Sequence, residues 1–254
     1  MADEILSEVD DGIATVTLNR PEKRNAMNAA LLRGLAASFD ELDSRRDVRI
    51  VVVRGAGRAF CSGRDLREMG QRGADPEQGV AEVLERVERS RHPTIAMIHG
   101  DAIAGGCELA LHCDLRIAAE PARLGMPLAR IGLIVPFPLL QKLVEIIGAS
   151  HTRELLFTGQ PVSAPRALEI GMVHQVVPAA EIEASTYALA RTIAANAPLS
   201  LSGIKASLLR AVSLREHVAH ADLDELARQA HRSTDAAEGR RAMLEKRAPV
   251  FRGE

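Results

Sequence analysis

Residues 49–53 read RIVVV and run straight into Gly55 and Gly57. A continuous β-branched run that stops at glycines is the pattern of a strand buried on both faces. Such a strand needs cover above and below, so it argues for helices on two sides of a sheet rather than for a bundle. Residues 13–18 (IATVTL), 94–98 (TIAMI), 115–118 (LRIA) and 173–177 (VHQVV) read as further strands. Between them Leu31, Leu32, Leu35, Phe39 and Leu42 recur at helical spacing, and Val80, Val83, Leu84 and Val87 repeat the pattern before Pro93. Strand and helix alternate, which is the mark of an α/β core.

Beyond about residue 180 the pattern changes. Residues 179–247 are rich in Ala, Leu, Glu and Arg, with Pro198 as the one clear break. We expect three or four helices there. At 254 residues the chain suits one α/β body with a helical appendage. The expected division is 1–178 for the core and 179–254 for the helices. The helical region carries more apolar positions than a detached set would need, so we expect it to serve self-assembly.

Composition excludes several classes. A formal charge of −2, no Trp and one Tyr leave little to attract or stack nucleic acid. No run approaches the roughly 18 apolar residues of a membrane span. The acidic start MADEILSEVDDG lacks the basic region of a signal peptide. Cys61, Cys107 and Cys113 are odd in number and lack framework spacing, so we expect reduced, buried thiols and a cytoplasmic protein.

Most candidate chemistry fails on inspection. Gly55-x-Gly57 begins a dinucleotide turn, but the third glycine would fall at Phe60. His217 and His220 share a helix face without a third ligand, so we expect no metal site. His99 and His112 have no partner nearby in the sequence that would make either a base. Ser62, a histidine and Asp114 could be assembled into a triad, but Gly-x-Ser-x-Gly is absent.

Two segments resist dismissal. Residues 59–66 (AFCSGRDL) and 101–110 (DAIAGGCELA) each place glycine at the exit of a strand. Backbone N–H groups there can face a site without a side chain in the way. The second segment opens a helix, whose first N–H groups have no intrahelical acceptor and favour negative charge. One donor from each loop would form an oxyanion hole, with Glu108 in the first helical turn beside it.

These segments, together with residues 19–28 (NRPEKRNAMN), 113–116 (CDLR), 157–159 (FTG), 167–177 and 245–247 (EKR), make the whole chain resemble the crotonase (enoyl-CoA hydratase/isomerase) superfamily. They occur in the family's order and cover about residues 10–251. The resemblance implies an α/β fold, a crotonase-type spiral of β-β-α units with a C-terminal helical region. It implies an acyl-CoA thioester substrate of the kind met in fatty acid metabolism, and no separate cofactor, coenzyme A being part of the substrate. It implies a homotrimer or a dimer of trimers. The oxyanion donors fall on the backbone N–H of Arg64, just after Gly63, and of Gly105, and Glu108 falls on a catalytic acid–base position. Coenzyme A contacts fall on Arg24 and Ala26, on Asp65 and Leu66 after the first oxyanion loop, and on Lys246.

The sequence departs from the family at one place. Family hydratases carry a second glutamate directly after a proline; here Pro127 is followed by Leu128. The alternative acid position four residues past Gly132 is Pro136. One carboxylate remains. We therefore expect hydratase/isomerase-type activity with weak hydration, a single-base isomerase or an acyl-CoA decarboxylase as the alternative, and a catalytically silent acyl-CoA binder as the further one. Residues 66–90 are expected to line the acyl pocket.

Overall fold

The computed structural model describes residues 3–68, 76–212 and 219–253. Its main sheet has six strands in the order β1-β2-β3-β4-β6-β9. These are β1 (Ile5–Asp10), β2 (Ile13–Leu18), β3 (Ile50–Gly55), β4 (Thr94–Ile98), β6 (Leu115–Ala119) and β9 (Gln175–Val177). Only β1 runs antiparallel, pairing with β2; the other four pairings are parallel. Side chains alternate between two cores, as a period of two requires. Val51, Val53, Ala96 and Ile98 pack on one side, while Ile50, Val52, Ile95 and Met97 pack on the other. Both faces are covered, so the β3 run is apolar throughout.

A second ladder runs beside the main sheet. Met27 bridges Arg64, and Cys61 bridges Ala102. The short strand β5 (Ala102–Ile103) pairs with β7 (Arg123–Gly125), which pairs with β8 (Val162–Ser163). The chain therefore repeats one path: a main strand, a short second-ladder segment, then a helix. Those helices include α1 (Ala29–Ser44), α2 (Pro76–Arg89), α3 (Gly105–His112) and α4 (Phe137–Thr158), the last interrupted at Gly148. This is the spiral of β-β-α units that the resemblance implies. Asn28 starts α1 by accepting the Leu31 N–H at 2.8 Å, and the helix buries Leu31, Leu35, Phe39 and Leu42.

After α5 (Ala164–Glu169), four described helices complete the chain: α6 (Ile182–Ala194), α7 (Pro198–Val212), α8 (Ala221–Arg232) and α9 (Thr234–Glu245). Helix α6 covers the second sheet face through Ile182 and Ala190. Helix α7 is anchored by buried Lys205, whose ammonium donates to the His92 carbonyl at 3.0 Å and to Asp114 at 2.8 Å. Helix α9 returns to the spiral and packs on the 3-10 turn Leu128–Ile131. A Cβ at Gly239 would stand 2.5 Å from the Ile131 Cα, so only glycine allows that approach. No described helix is long and apolar enough to cross a membrane.

Candidate active site

The second ladder is what assembles the site. The stretch around residues 24–27 clamps the loop that follows β3. Ser62 N–H donates to the Arg24 carbonyl, Met27 N–H to the Gly63 carbonyl at 2.7 Å, and Asp65 N–H to the Met27 carbonyl. Asn25, fully buried, donates through Nδ2 to the carbonyls of Ala59 and Phe60 at 2.8 and 3.1 Å. On the other side, Ile103 N–H donates to the Cys61 carbonyl and Ala104 N–H to the Gly125 carbonyl. The loops carrying Gly63 and Gly105 are thereby pressed together.

Gly63 needs to be glycine for a stated reason. Gly63 has φ +88°, and a Cβ there would lie 2.9 Å from the Ala104 Cβ and 3.1 Å from the Gly105 nitrogen. The Cβ position of Gly105 lies 3.8 Å from the Arg64 nitrogen. Ala104, directly before α3, holds φ 50° and ψ −122°. An L-residue in such a region costs about 1–3 kcal/mol and persists only when its surroundings hold it. Gly105 opens α3, where helix geometry gives its N–H no intrahelical acceptor. Two loops so joined can present two backbone donors to one oxygen.

These residues line a cavity of about 130 Å³. Arg64, Gly105 and Glu108 line it together with Ser62, Leu66, Ile103 and Ala104. Val80 lies on the wall as well. Pro127, Leu128, Ile131, Leu133, Pro136 and Leu139 line it from the stretch after β7, and Met243 of α9 joins them. Glu108 is 6% exposed and Leu128 9% exposed, so both residues are largely shielded from bulk solvent. Among the described lining residues Glu108 is the only acid. The two apolar departures, Leu128 and Pro136, border the same space as the retained glutamate.

Other expected site residues lie elsewhere. Ala26 is buried beside the clamp, and its carbonyl accepts from Arg20 Nη1 at 2.5 Å. Asp65 does not line the cavity; its carboxylate pairs with Arg20 at 3.3 Å. Arg24 and Lys246 are exposed, each with a left-handed backbone, and Lys246 caps the end of α9. Neither lines the cavity. Part of the stretch expected to line the acyl pocket, residues 69–75, lies outside the described residues, as does His217.

The triad reading has no geometry behind it. Asp114 is tied to Thr94 and Lys205, and His112 Nδ1 bonds the Glu108 carbonyl at 2.7 Å. Burial lowers the pKa of His112, and it faces Glu88 rather than Ser62. All three cysteines are free and buried, their thiols pushed up to about 12 by burial. Among the described residues no group of three or more His, Cys, Asp and Glu could hold a metal ion.

The comparisons with known proteins agree with this architecture. A model of the enoyl-CoA hydratase/isomerase family matches residues 8–254. The chain belongs to the enoyl-CoA hydratase/isomerase family. It is 35% identical to a putative enoyl-CoA hydratase/isomerase of Bacillus subtilis (strain 168), with all of both chains covered. It is 32% identical to a short-chain-enoyl-CoA hydratase of Clostridium acetobutylicum, over 96% of this chain and 95% of that one. Among solved structures, methylmalonyl-CoA decarboxylase complexed with 2S-carboxypropyl CoA superposes with a TM-score of 0.91 at 27% identity, with all of both chains covered. The protein is thus an enoyl-CoA hydratase/isomerase-like enzyme whose solved neighbours include decarboxylases.

Sequence reading missed several members of this site. Ala104 acts through backbone geometry and Asn25 through its side-chain amide, and only the positive φ of Ala104 and the buried carbonyls that Asn25 Nδ2 meets reveal them. Ile131, Leu139 and Met243 come from elements that meet only in the folded chain.

Proposed function

We propose that the protein forms and protonates the enolate of an acyl-CoA thioester, with Glu108 as the one group that carries the proton. The observation that supports this is the cavity itself: among its described lining residues one carboxylate stands with the paired glycine loops, and Leu128 and Pro136 line the same space. The thioester oxygen accepts from the N–H groups of Arg64 and Gly105. Glu108 removes a proton from the carbon α or γ to the carbonyl, and the electron pair moves onto that oxygen as the enolate. The donors are worth most there because charge develops only as the proton leaves. Glu108 then returns the proton to the other carbon. One carboxylate completes this 1,3-shift.

Hydration asks for more. Water must be held and deprotonated while a proton reaches the α carbon, and the described lining residues from Pro127 to Leu139 offer no polar side chain to hold it. Loss of one acid–base group typically costs roughly 10²–10⁴-fold, so hydration of 2-enoyl thioesters is expected to be the slower activity. A second reading, decarboxylation, is favoured by the likeness to methylmalonyl-CoA decarboxylase. In that case the C–C bond to the carboxylate breaks, CO₂ leaves and the same oxygen receives the charge.

Turnover of 3-enoyl, 2-enoyl and malonyl-type CoA thioesters tests the proposal. Isomerisation of the 3-enoyl substrate ahead of hydration supports it, CO₂ release from the malonyl type alone favours the second reading, and no turnover of any thioester overturns both. Assembly as a trimer or dimer of trimers is part of the same proposal. Leu199, Ile204 and Leu208 stand exposed on α7, as an interface between copies would require. Light scattering that returned a monomer would count against it.

A further inference from the structure

We propose that Arg20, which does not line the cavity, is a positioning residue for the reaction: its guanidinium fixes the direction of the Arg64 N–H by holding Ala26 and Asp65. The inference rests on the acyl-CoA reading above and adds a residue to it. Arg20 belongs to the stretch NRPEKRNAMN, just past β2. Its side chain is 12% exposed and that of Asp65 15%. Nη1 donates to the Ala26 carbonyl at 2.5 Å, and Nη1 and Nη2 both reach Asp65 Oδ2 at 3.3 Å. Nε faces Glu4 at 3.4 Å. The Arg20 main chain is tied to the same turn, donating to Asn25 Oδ1 and accepting from the Asn25 N–H, both at 2.9 Å.

The two points held by the guanidinium flank the bridge between Met27 and Arg64. Ala26 precedes Met27, and Asp65 follows Arg64. Across the bridge Met27 N–H donates to the Gly63 carbonyl at 2.7 Å and Asp65 N–H to the Met27 carbonyl at 2.9 Å. Successive peptide groups of a paired strand point to opposite sides, so the Arg64 N–H faces away from Met27. The turn that presents Met27 is strained, with Arg24 and Asn25 at φ 52° and 55°. Such a backbone persists only where its surroundings hold it. Arg20 joins both ends of that turn, residues 20 and 26, to the loop after β3. Without its cation the bridge can pivot, and a donor displaced by about 1 Å forfeits much of its effect. Glu108 is held separately. Its N–H donates to the Ala104 carbonyl at 3.0 Å, and Ala104 N–H donates to the Gly125 carbonyl at 2.7 Å. A change at Arg20 therefore separates donation by Arg64 from proton transfer by Glu108.

The test reads the thioester carbonyl itself. Butyryl-CoA, isotope-labelled at that carbonyl, is bound to the protein and followed by difference infrared spectroscopy. Donors on the oxygen lower its stretching frequency, so the wild-type protein should shift it downward and Arg20→Gln should reverse most of that shift. In turnover, Arg20→Gln should lower kcat by roughly tenfold to a hundredfold with KM changed by less than about threefold. The pH profile of kcat should keep its shape, because Glu108 is untouched. Asp65→Asn keeps size and an acceptor oxygen but drops the charge; it should act in the same direction and add little to Arg20→Gln. A lowered melting temperature with the wild-type infrared shift and kcat would make Arg20 a structural contact only and overturn the inference. Independent, additive effects of the two changes would overturn it as well. If Arg20→Gln fails to fold, Asp65→Asn decides, and a wild-type shift and kcat in that variant overturn the inference. Failure of butyryl-CoA to bind the wild-type protein, or binding without a downward shift, would overturn the acyl-CoA reading and this inference with it.

Discussion

The two walls of the cavity are built by different means. One wall is backbone. Gly63, Arg64 and Gly105 sit in loops set by main-chain hydrogen bonds to residues 24–27, 61 and 125, and at Gly63 by an approach too close for a Cβ. The other wall is side chain: Leu128, Leu133, Pro136 and Leu139, carried by a 3-10 turn and the start of α4 and backed by α9. A backbone wall tolerates almost no change in shape but accepts many neighbouring side chains. A side-chain wall can be rewritten one residue at a time. The chemistry that is shared through a family is thus expected on the first wall, and the choice of reaction on the second.

The largest effect should come from the one side chain on the backbone wall that moves a proton. Glu108→Gln should lower turnover of any accepted thioester by roughly 10²–10⁴-fold. Calorimetry should show thioester binding largely kept, because the amide fills the same space. Wild-type turnover in this variant would mean that Glu108 is not the base and would end the comparison.

Gly63→Ala tests the backbone wall directly. The new Cβ would meet the Ala104 Cβ and the Ile103 carbonyl, both at 2.9 Å, at a φ that disfavours alanine. The two loops must separate, and displacing one oxyanion donor costs roughly 10²–10³ in kcat. A thermal melt taken alongside should show a folded protein. Retained activity would mean that the N–H groups of these loops do not serve the reaction.

Leu128→Glu tests the other wall, with a smaller effect and the opposite sign. It restores the family's second carboxylate at a position facing the same cavity as Glu108. Two carboxylates sharing a site cannot both ionise easily, so one is held protonated as an acid beside the other as a base. Hydration of 2-enoyl-CoA should rise by about tenfold, against some loss of stability from burying a polar group. If hydration does not rise, the missing acid is not what limits it.

The same division explains what was legible in the sequence. Strands β2 and β4 have the bounds read from IATVTL and TIAMI, because a strand between two cores is buried along its whole length and so lacks charged residues. The edge strand β1 was missed; its burial is partial and its sequence ILSEVD is mixed, since only β2 pairs with it. Strands β5, β7 and β8 span two or three residues, too few for any period to show. Gly105 and Glu108 were visible because glycine at a strand exit and an acid in a first helical turn are local signals. The resemblance puts Asp65 among the substrate contacts; that its carboxylate pairs with Arg20, 45 residues away, is something no local spacing shows. Met243 gave no sign at all: α9 reaches the cavity only because Gly239 lets it lie against Ile131.

The smallest expected effect is an absence of reaction, and it bears on how firmly the backbone wall is held. Cys61 lies two residues before Gly63 and Cys107 two residues after Gly105. Both are fully buried, and burial pushes both thiols up to about 12. Cys61 also donates through Sγ to the Asn25 carbonyl at 3.1 Å, so it is packed into the clamp. Only the thiolate attacks an alkylating reagent. Against a free thiol near 8.5, the thiolate fraction at pH 8 is lower by roughly a thousandfold, before access is considered. Native protein at pH 8 should therefore be alkylated by iodoacetamide at least about a thousandfold more slowly than unfolded protein, with activity intact. Any faster reaction must pass through local opening, and its rate would report that opening. Rapid labelling of Cys61 and Cys107 with loss of turnover would show that the glycine loops part in the native state. The backbone wall would then be the mobile one, and the contrast between the two walls would be reversed.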